Sequence, residues 1–141
     1  MHRIIYLSTA IGYLEKQEIE SILKKSCVYN LEKNITGILL YIDRDFIQVL
    51  EGDKNDISTL FKKIKKDKRH KGIICVINET ITQRQFSDWS MGYYTDSYQN
   101  LKNLSSFYDS NKKELFGYKD QAVAIFLNTF MKSHRFDIKQ F

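Results

Sequence analysis

The sequence predicts an α+β domain, one sheet carrying two helices on a single face, and three observations predict it. Short segments alternate apolar and polar residues, two longer segments between them repeat apolar residues at steps of three and four, and the two periods succeed each other in a definite order.

The first strand is "RIIYLS", residues 3–8, with Ile4, Tyr6 and Ser8 on one face and Ile5 and Leu7 on the other. After a loop at Gly12, residues 15–32 carry a helical stripe through Ile19, Ile22, Leu23, Ser26 and Asn30. That stripe ends polar. "ITGILLYI" (35–42) and "FIQVLEG" (46–52) read as an antiparallel hairpin, although Asp43 and Arg44 stand where a two-residue turn frequently has Asp-Gly. Asp53 or Asn55 can cap a second helix over 56–68, whose apolar side is Ile57, Leu60, Phe61 and Ile64. A strand "GIICVINE" (72–79), a polar loop "TITQRQFSD" and a last strand around "WSMGYY" complete the series.

The order β-α-β-β-α-β-β is that of a ferredoxin-like sheet with an added strand, and the handedness of crossover connections puts both helices on the same face. The second face is also apolar, with Ile5, Leu7, Ile47 and Val49, so something should cover it. Residues 104–133 supply the cover: "LSSFYDSNKKELF", then a stripe of Val123, Phe126, Leu127, Phe130 and Met131. Two C-terminal helices are expected, packed on that face or in a subunit contact. The chain thus divides into a domain over 1–100 and a helical extension over 101–141.

Composition narrows the function. The 141 residues support one core with a small appendage, and no apolar run approaches the roughly 20 residues of a membrane helix. The start "MHRIIYLSTAIGYL" has no secretory pattern, which makes the cytoplasm the expected location. Cys27 and Cys75 form no C-x-x-C and read as buried, inert thiols. His2, His70 and His134 lack ligand spacing, and no nucleophile elbow, P-loop or paired-carboxylate motif is present, so neither a metal site nor an enzyme is expected. The net charge of +5 permits nucleic-acid binding, but the lysines concentrate in "KKIKKDKRHK" (62–71). Lys62, Lys65, Lys66, Lys68 and Lys71 there read as a solvated helix face and its exit. The strands also lack the aromatic motifs of an RNA reader, which argues against a nucleic-acid partner.

The inward face poses a sharper problem. Tyr6, Gln48 and Asn30 would project hydrogen-bonding groups into the layer between sheet and helices, and each group left unpaired there costs about 1 to 3 kcal/mol. They pair with one another and with local backbone, or they read the polar edge of a ligand with an apolar body held between the helices. Periodicity leaves both open.

"YLS", "ILKKSCVYN", "NITGILLY", "FIQVLEG", "DKRH" and "RQFSDWSMG" together resemble the BLUF domain, a flavin-binding blue-light sensor, in family order over residues 3 to 95. The resemblance implies FAD between the helices, with FMN and riboflavin as alternatives, and the edge of its ring toward Tyr6, Asn30 and Gln48. It implies packing from Ile22, Phe46 and Ile64 with Ser26 nearby, and it makes Lys63, Arg69 and His70 candidates for the phosphates and Asp67 for the ribityl chain. It further implies light-driven electron and proton transfer from Tyr6, rearranged hydrogen bonds at Gln48, and a signal carried outward by Trp89 and Met91. Tyr29 departs from the family pattern, in which an asparagine or small polar residue often stands before Asn30. Output is expected through a downstream protein partner or a change in a homo-oligomer. The competing reading is a ferredoxin-like ligand- or RNA-binding module without photochemistry.

Overall fold

Strand β1 (His2–Ala10) lies between two antiparallel neighbours, β3 (Asp45–Gly52) and β4 (His70–Thr80). β3 also pairs antiparallel with β2 (Thr36–Ile42), and β5 (Gly92–Thr95) adds parallel to β2, giving the order β4-β1-β3-β2-β5. Helix α1 (Lys16–Glu32) connects β1 to β2, and α2 (Lys54–Lys66) connects β3 to β4. This is the predicted ferredoxin-like arrangement with its added strand. The computed structural model describes residues 1–87, 90–95, 108–109 and 114–115.

Each element has its origin in local chemistry. Asp53 caps α2, its carboxylate accepting the backbone N–H groups of Asn55 (2.9 Å) and Asp56 (3.1 Å), so the helix begins two residues before the expected position 56. Its last turn carries Lys63, Lys65 and Lys66, which suit the negative end of the helix dipole. The hairpin turn forms without glycine. Asp43 and Arg44 adopt φ of 51° and 71°, as a two-residue turn with matching twist requires. The left-handed conformation costs Arg44 roughly 1 kcal/mol, offset because its guanidinium donates to the carbonyls of Ala10 and Ile11 and its own carbonyl accepts from Ala10 N–H at 2.7 Å. Gly37 faces Leu50 across the hairpin, and a Cβ there would lie 1.8 Å from the carbonyl oxygen of Val49. Only glycine lets the two strands approach so closely.

The alternation sorts the sheet's side chains as expected. Ile4, Tyr6, Ala10, Leu39, Tyr41, Phe46 and Leu50 form one buried cluster with Ile19 of α1 and Ile57 and Phe61 of α2. Tyr6 meets Phe61 with ring centroids 5.3 Å apart, which fixes α2 over β1. α1 holds the sheet less closely: of its residues only Ile19 and Asn30 are buried, while Ile22, Leu23 and Ser26 are half-exposed. The space left between α1 and α2 becomes the site.

The opposite face, with Ile5, Ile38, Leu40, Ile42, Ile47 and Val49, is buried as well. The stripe from Val123 to Met131, expected to cover it, lies outside the described residues, as does the division at residue 100. Within the other expected C-terminal helix, Tyr108–Asp109 (β6) pairs antiparallel with Glu114–Leu115 (β7). Ser110 and Asn111 are residue types that favour turns over helix interiors. Cys75 also departs from expectation: β4 is an edge strand and the thiol is exposed, while Cys27 is half-buried.

An enclosed ion pair joins β1 to β3. Glu51 on β3 accepts from Arg3 Nε (3.1 Å) and Nη2 (2.9 Å) on β1, and both side chains are buried. The same carboxylate accepts the backbone N–H groups of Gln85 and Phe86, and Arg3 reaches on to Glu79 at 3.0 Å. With partners on every side the pair is tolerated, and removing one member of such a pair costs about 3 to 5 kcal/mol.

Candidate functional site

Tyr6 and Gln48 are directly opposed on β1 and β3, where cross-strand side chains are closest neighbours. The Tyr6 hydroxyl donates to Gln48 Oε1, and Gln48 Nε2 faces Met91 Sδ at 3.6 Å. Asn30, in the last turn of α1, donates from Nδ2 to the carbonyl of Ser90 at 2.7 Å. Its Oδ1 is buried and has no hydrogen-bond partner among the described residues.

Tyr6, Gln48 and Asn30 line a cleft of about 160 Å³ between the helices. α1 contributes Ile22, Ser26 and Asn30, the sheet Tyr6, Phe46 and Gln48, and α2 with its exit Ile64, Asp67, Arg69 and His70, all of them expected from the sequence. Leu14, Lys25, Tyr29, Leu39 and Leu60 line it too. Lys25 and Tyr29 follow Ile22 at helical steps, a signal that reading the stripe one position wider would have caught. Lys63 is not on the cleft wall. Its ammonium sits 4.6 Å over the Tyr29 ring, so it approaches the site only through that ring. Met91 is buried just before β5, and Trp89 lies outside the described residues.

The electrostatics are specific. Burial first, and the nearby Asp67 carboxylate second, push the Tyr6 phenol well above its ordinary range, so it stays a neutral donor. Arg69 grips Asp67 with two nitrogens (2.9 and 2.5 Å), which holds that carboxyl below the usual range and raises the guanidinium in turn. His70 bridges Ser8 Oγ (2.7 Å) and the Ile64 carbonyl (2.6 Å), tying β1 to the end of α2. Because a carbonyl only accepts, Nε2 carries a hydrogen, and the Ser8 hydroxyl can pair with Nδ1 in either role.

The donor set selects a ligand type. Asn30 offers a free carbonyl oxygen and one uncommitted N–H side by side, the complement of an imide, in which an N–H adjoins a carbonyl. Gln48, whose Nε2 faces Met91, lines the same cleft, and the remaining walls are largely apolar. A flat apolar ring with an imide edge fits, and the isoalloxazine of a flavin is such a ring.

The family model for sensors of blue-light using FAD matches residues 1–92. The chain belongs to the BLUF family. It is 36% identical over 83 residues to the alpha subunit of the photoactivated adenylate cyclase of Euglena gracilis, an alignment covering 59% of this chain and 8% of that protein. The structure of a bacterial light-regulated adenylyl cyclase superposes with a TM-score of 0.67 at 35% identity, covering 96% of this chain and 34% of the cyclase. The ground state of BlsA superposes with a TM-score of 0.67 at 32% identity, covering 90% of this chain and 85% of BlsA. The chain thus spans a small part of the two cyclases and most of BlsA. As a BLUF domain it is a blue-light photoreceptor with a flavin cofactor, and its hydrogen-bonded Tyr6 and Gln48 pair is typical of such sensors. Among the described residues no helix is long and apolar enough to cross a membrane, and no group of three or more His, Cys, Asp or Glu could hold a metal ion.

Proposed function

We propose that the domain binds FAD non-covalently in the cleft and signals by reorienting the Gln48 amide after Tyr6 gives up an electron and a proton. Asn30 would hold the imide edge, Ile22, Phe46 and Ile64 the ring, and Ser26, Asp67, Arg69 and His70 the polar tail. When bound, the flavin supplies the blue-light absorption and, once excited, the oxidising power.

The chain's own residues direct the proton. Burial keeps it on the Tyr6 oxygen, so loss of an electron from the ring must be accompanied by movement of that proton along the hydrogen bond already directed at Gln48 Oε1. Gln48 then responds. In the dark arrangement its oxygen accepts from the Tyr6 hydroxyl, which could pair with either end of the amide, and its nitrogen faces the weak acceptor Met91 Sδ, which selects this orientation. Rotation or tautomerisation of the amide would oppose an acceptor to the sulfur and release Met91. A switch needs such a differential contact between two states.

The observation that carries this reading is that one buried amide touches both the oxidisable phenol and the residue leading into β5. Trp89 and Met91 would take the signal outward, to a protein partner or a second subunit in the cytoplasm. The purified protein should be yellow, release FAD rather than FMN or riboflavin on denaturation, and show a small red shift under blue light that reverses in darkness. Tyr6→Phe and Gln48→Leu should each retain flavin and lose the shift. Normal cycling in both variants would remove Tyr6 and Gln48 from the mechanism, and a colourless protein with no affinity for flavins would remove the function.

A further inference from the structure

Two stretches of the segment joining β4 to β5 are held by unlike means. Near its middle, Gln85 N–H donates to Glu51 Oε2 (2.9 Å) and Phe86 N–H to Glu51 Oε1 (2.8 Å), while Arg84 Nη1 donates to Thr36 Oγ1 (3.0 Å) and to the Glu51 carbonyl (3.3 Å). The side chains of Glu51 and Arg3 are 0% and 2% exposed, so these are enclosed, charge-assisted bonds. At its end, Ser90 is held by the Asn30 amide and Met91 faces the Gln48 amide through a long N–H···S contact. Both amides belong to the flavin cleft.

Resting on the photoreceptor reading above, we infer that Glu51, fixed by Arg3, is a positioning residue: it anchors Gln85 and Phe86 so that Ser90 and Met91 return to Asn30 and Gln48 after each light-driven rearrangement. Gln48 can change its hydrogen bonds without touching Glu51, because the two alternate along β3 with Gln48 facing the cleft cluster and Glu51 the Arg3 side. The light-sensitive end therefore moves about a fixed one. Without the anchor, the dark arrangement loses its preorganisation and is regained more slowly.

Glu51→Gln keeps the shape and removes the charge. Its flavin should stay bound, its light-induced red shift should keep its sign, and dark recovery should slow roughly threefold, the size of a modest coupling between neighbouring elements. Glu79→Gln is the control, since Glu79 pairs with Arg3 at a half-exposed position, whereas the Gln85 and Phe86 backbone N–H groups go to Glu51. It should recover at the wild-type rate. The second measurement needs no variant: hydrogen exchange of the holoprotein in darkness and under illumination, where the Gln85 and Phe86 amides should stay protected in both and only amides from Met91 onward should change. Wild-type recovery in Glu51→Gln, equal slowing in Glu79→Gln, or light-induced exchange at Gln85 and Phe86 would each overturn the anchor. A wild-type protein that fails to photocycle at all would instead overturn the photoreceptor mechanism.

Discussion

The Gln48 amide nitrogen faces Met91 Sδ at 3.6 Å while its oxygen accepts from Tyr6, so a single side chain joins the oxidisable phenol to the strand that leaves the site. The Tyr6 contact alone would not orient a buried amide, since a hydroxyl can donate or accept. The sulfur breaks the symmetry. Met91→Leu keeps the volume and removes the acceptor, so stability should change by less than about 1.5 kcal/mol. Dark recovery should slow by roughly threefold, the worth of a weak N–H···S bond. Recovery unchanged in Met91→Leu would show that the amide is oriented by other groups.

The phenol and the amide should also reveal each other thermodynamically. Tyr6→Phe leaves Gln48 Oε1 buried without its donor, and Gln48→Leu leaves the Tyr6 hydroxyl without its acceptor, each at about 1 to 3 kcal/mol. The double variant removes both orphans. Chemical denaturation of the four proteins should therefore give a double variant less destabilised than the sum by about 1 kcal/mol, and strictly additive losses would mean that the two side chains do not share a bond in solution.

Much of this site was legible because its periodicities are strict. Alternation placed Tyr6, Phe46 and Gln48 on one face, and the polar end of the α1 stripe placed Asn30 beside them. What escaped the sequence are bonds to backbone. Asn30 to the Ser90 carbonyl, and Glu51 to the amides of Gln85 and Phe86, join residues far apart through atoms every residue possesses, so no residue type announces them. Charge was legible where direction was not. Lys63 is as basic as expected, yet the helix turns it onto Tyr29 rather than into the cleft. Cys75 was misplaced for a related reason: a strand pattern does not say whether a strand is central or at an edge.

Gly37 gives a test of the hairpin that carries Gln48. A methyl group at this position would sit 1.8 Å from the Val49 carbonyl oxygen, and the obstacle is backbone, which cannot rotate aside. Gly37→Ala should therefore push β2 from β3 and cost about 2 to 4 kcal/mol, at the severe end for a single added methyl. Because Leu39 of β2 faces Gln48 of β3, the same substitution should weaken flavin retention. Equal thermal midpoints for the two proteins would contradict the close approach.

Alkaline pH isolates the buried phenol. In the unfolded chain Tyr6 ionises around the ordinary value of 10.0, whereas in the folded protein burial, and then Asp67, hold the proton well above it. The folded state thus binds one more proton in this window, so the contribution of Tyr6 to stability is complete below the ordinary value and declines as pH rises beyond it. The slope is at most about 1.4 kcal/mol per pH unit for one group. Denaturation midpoints measured from neutral to strongly alkaline pH should show this decline in the wild type and a shallower one in Tyr6→Phe, which has no proton to lose at that position. An identical alkaline decline in both proteins would mean that the phenol is open to solvent, and an open phenol could not deliver its proton along a single prescribed bond to Gln48.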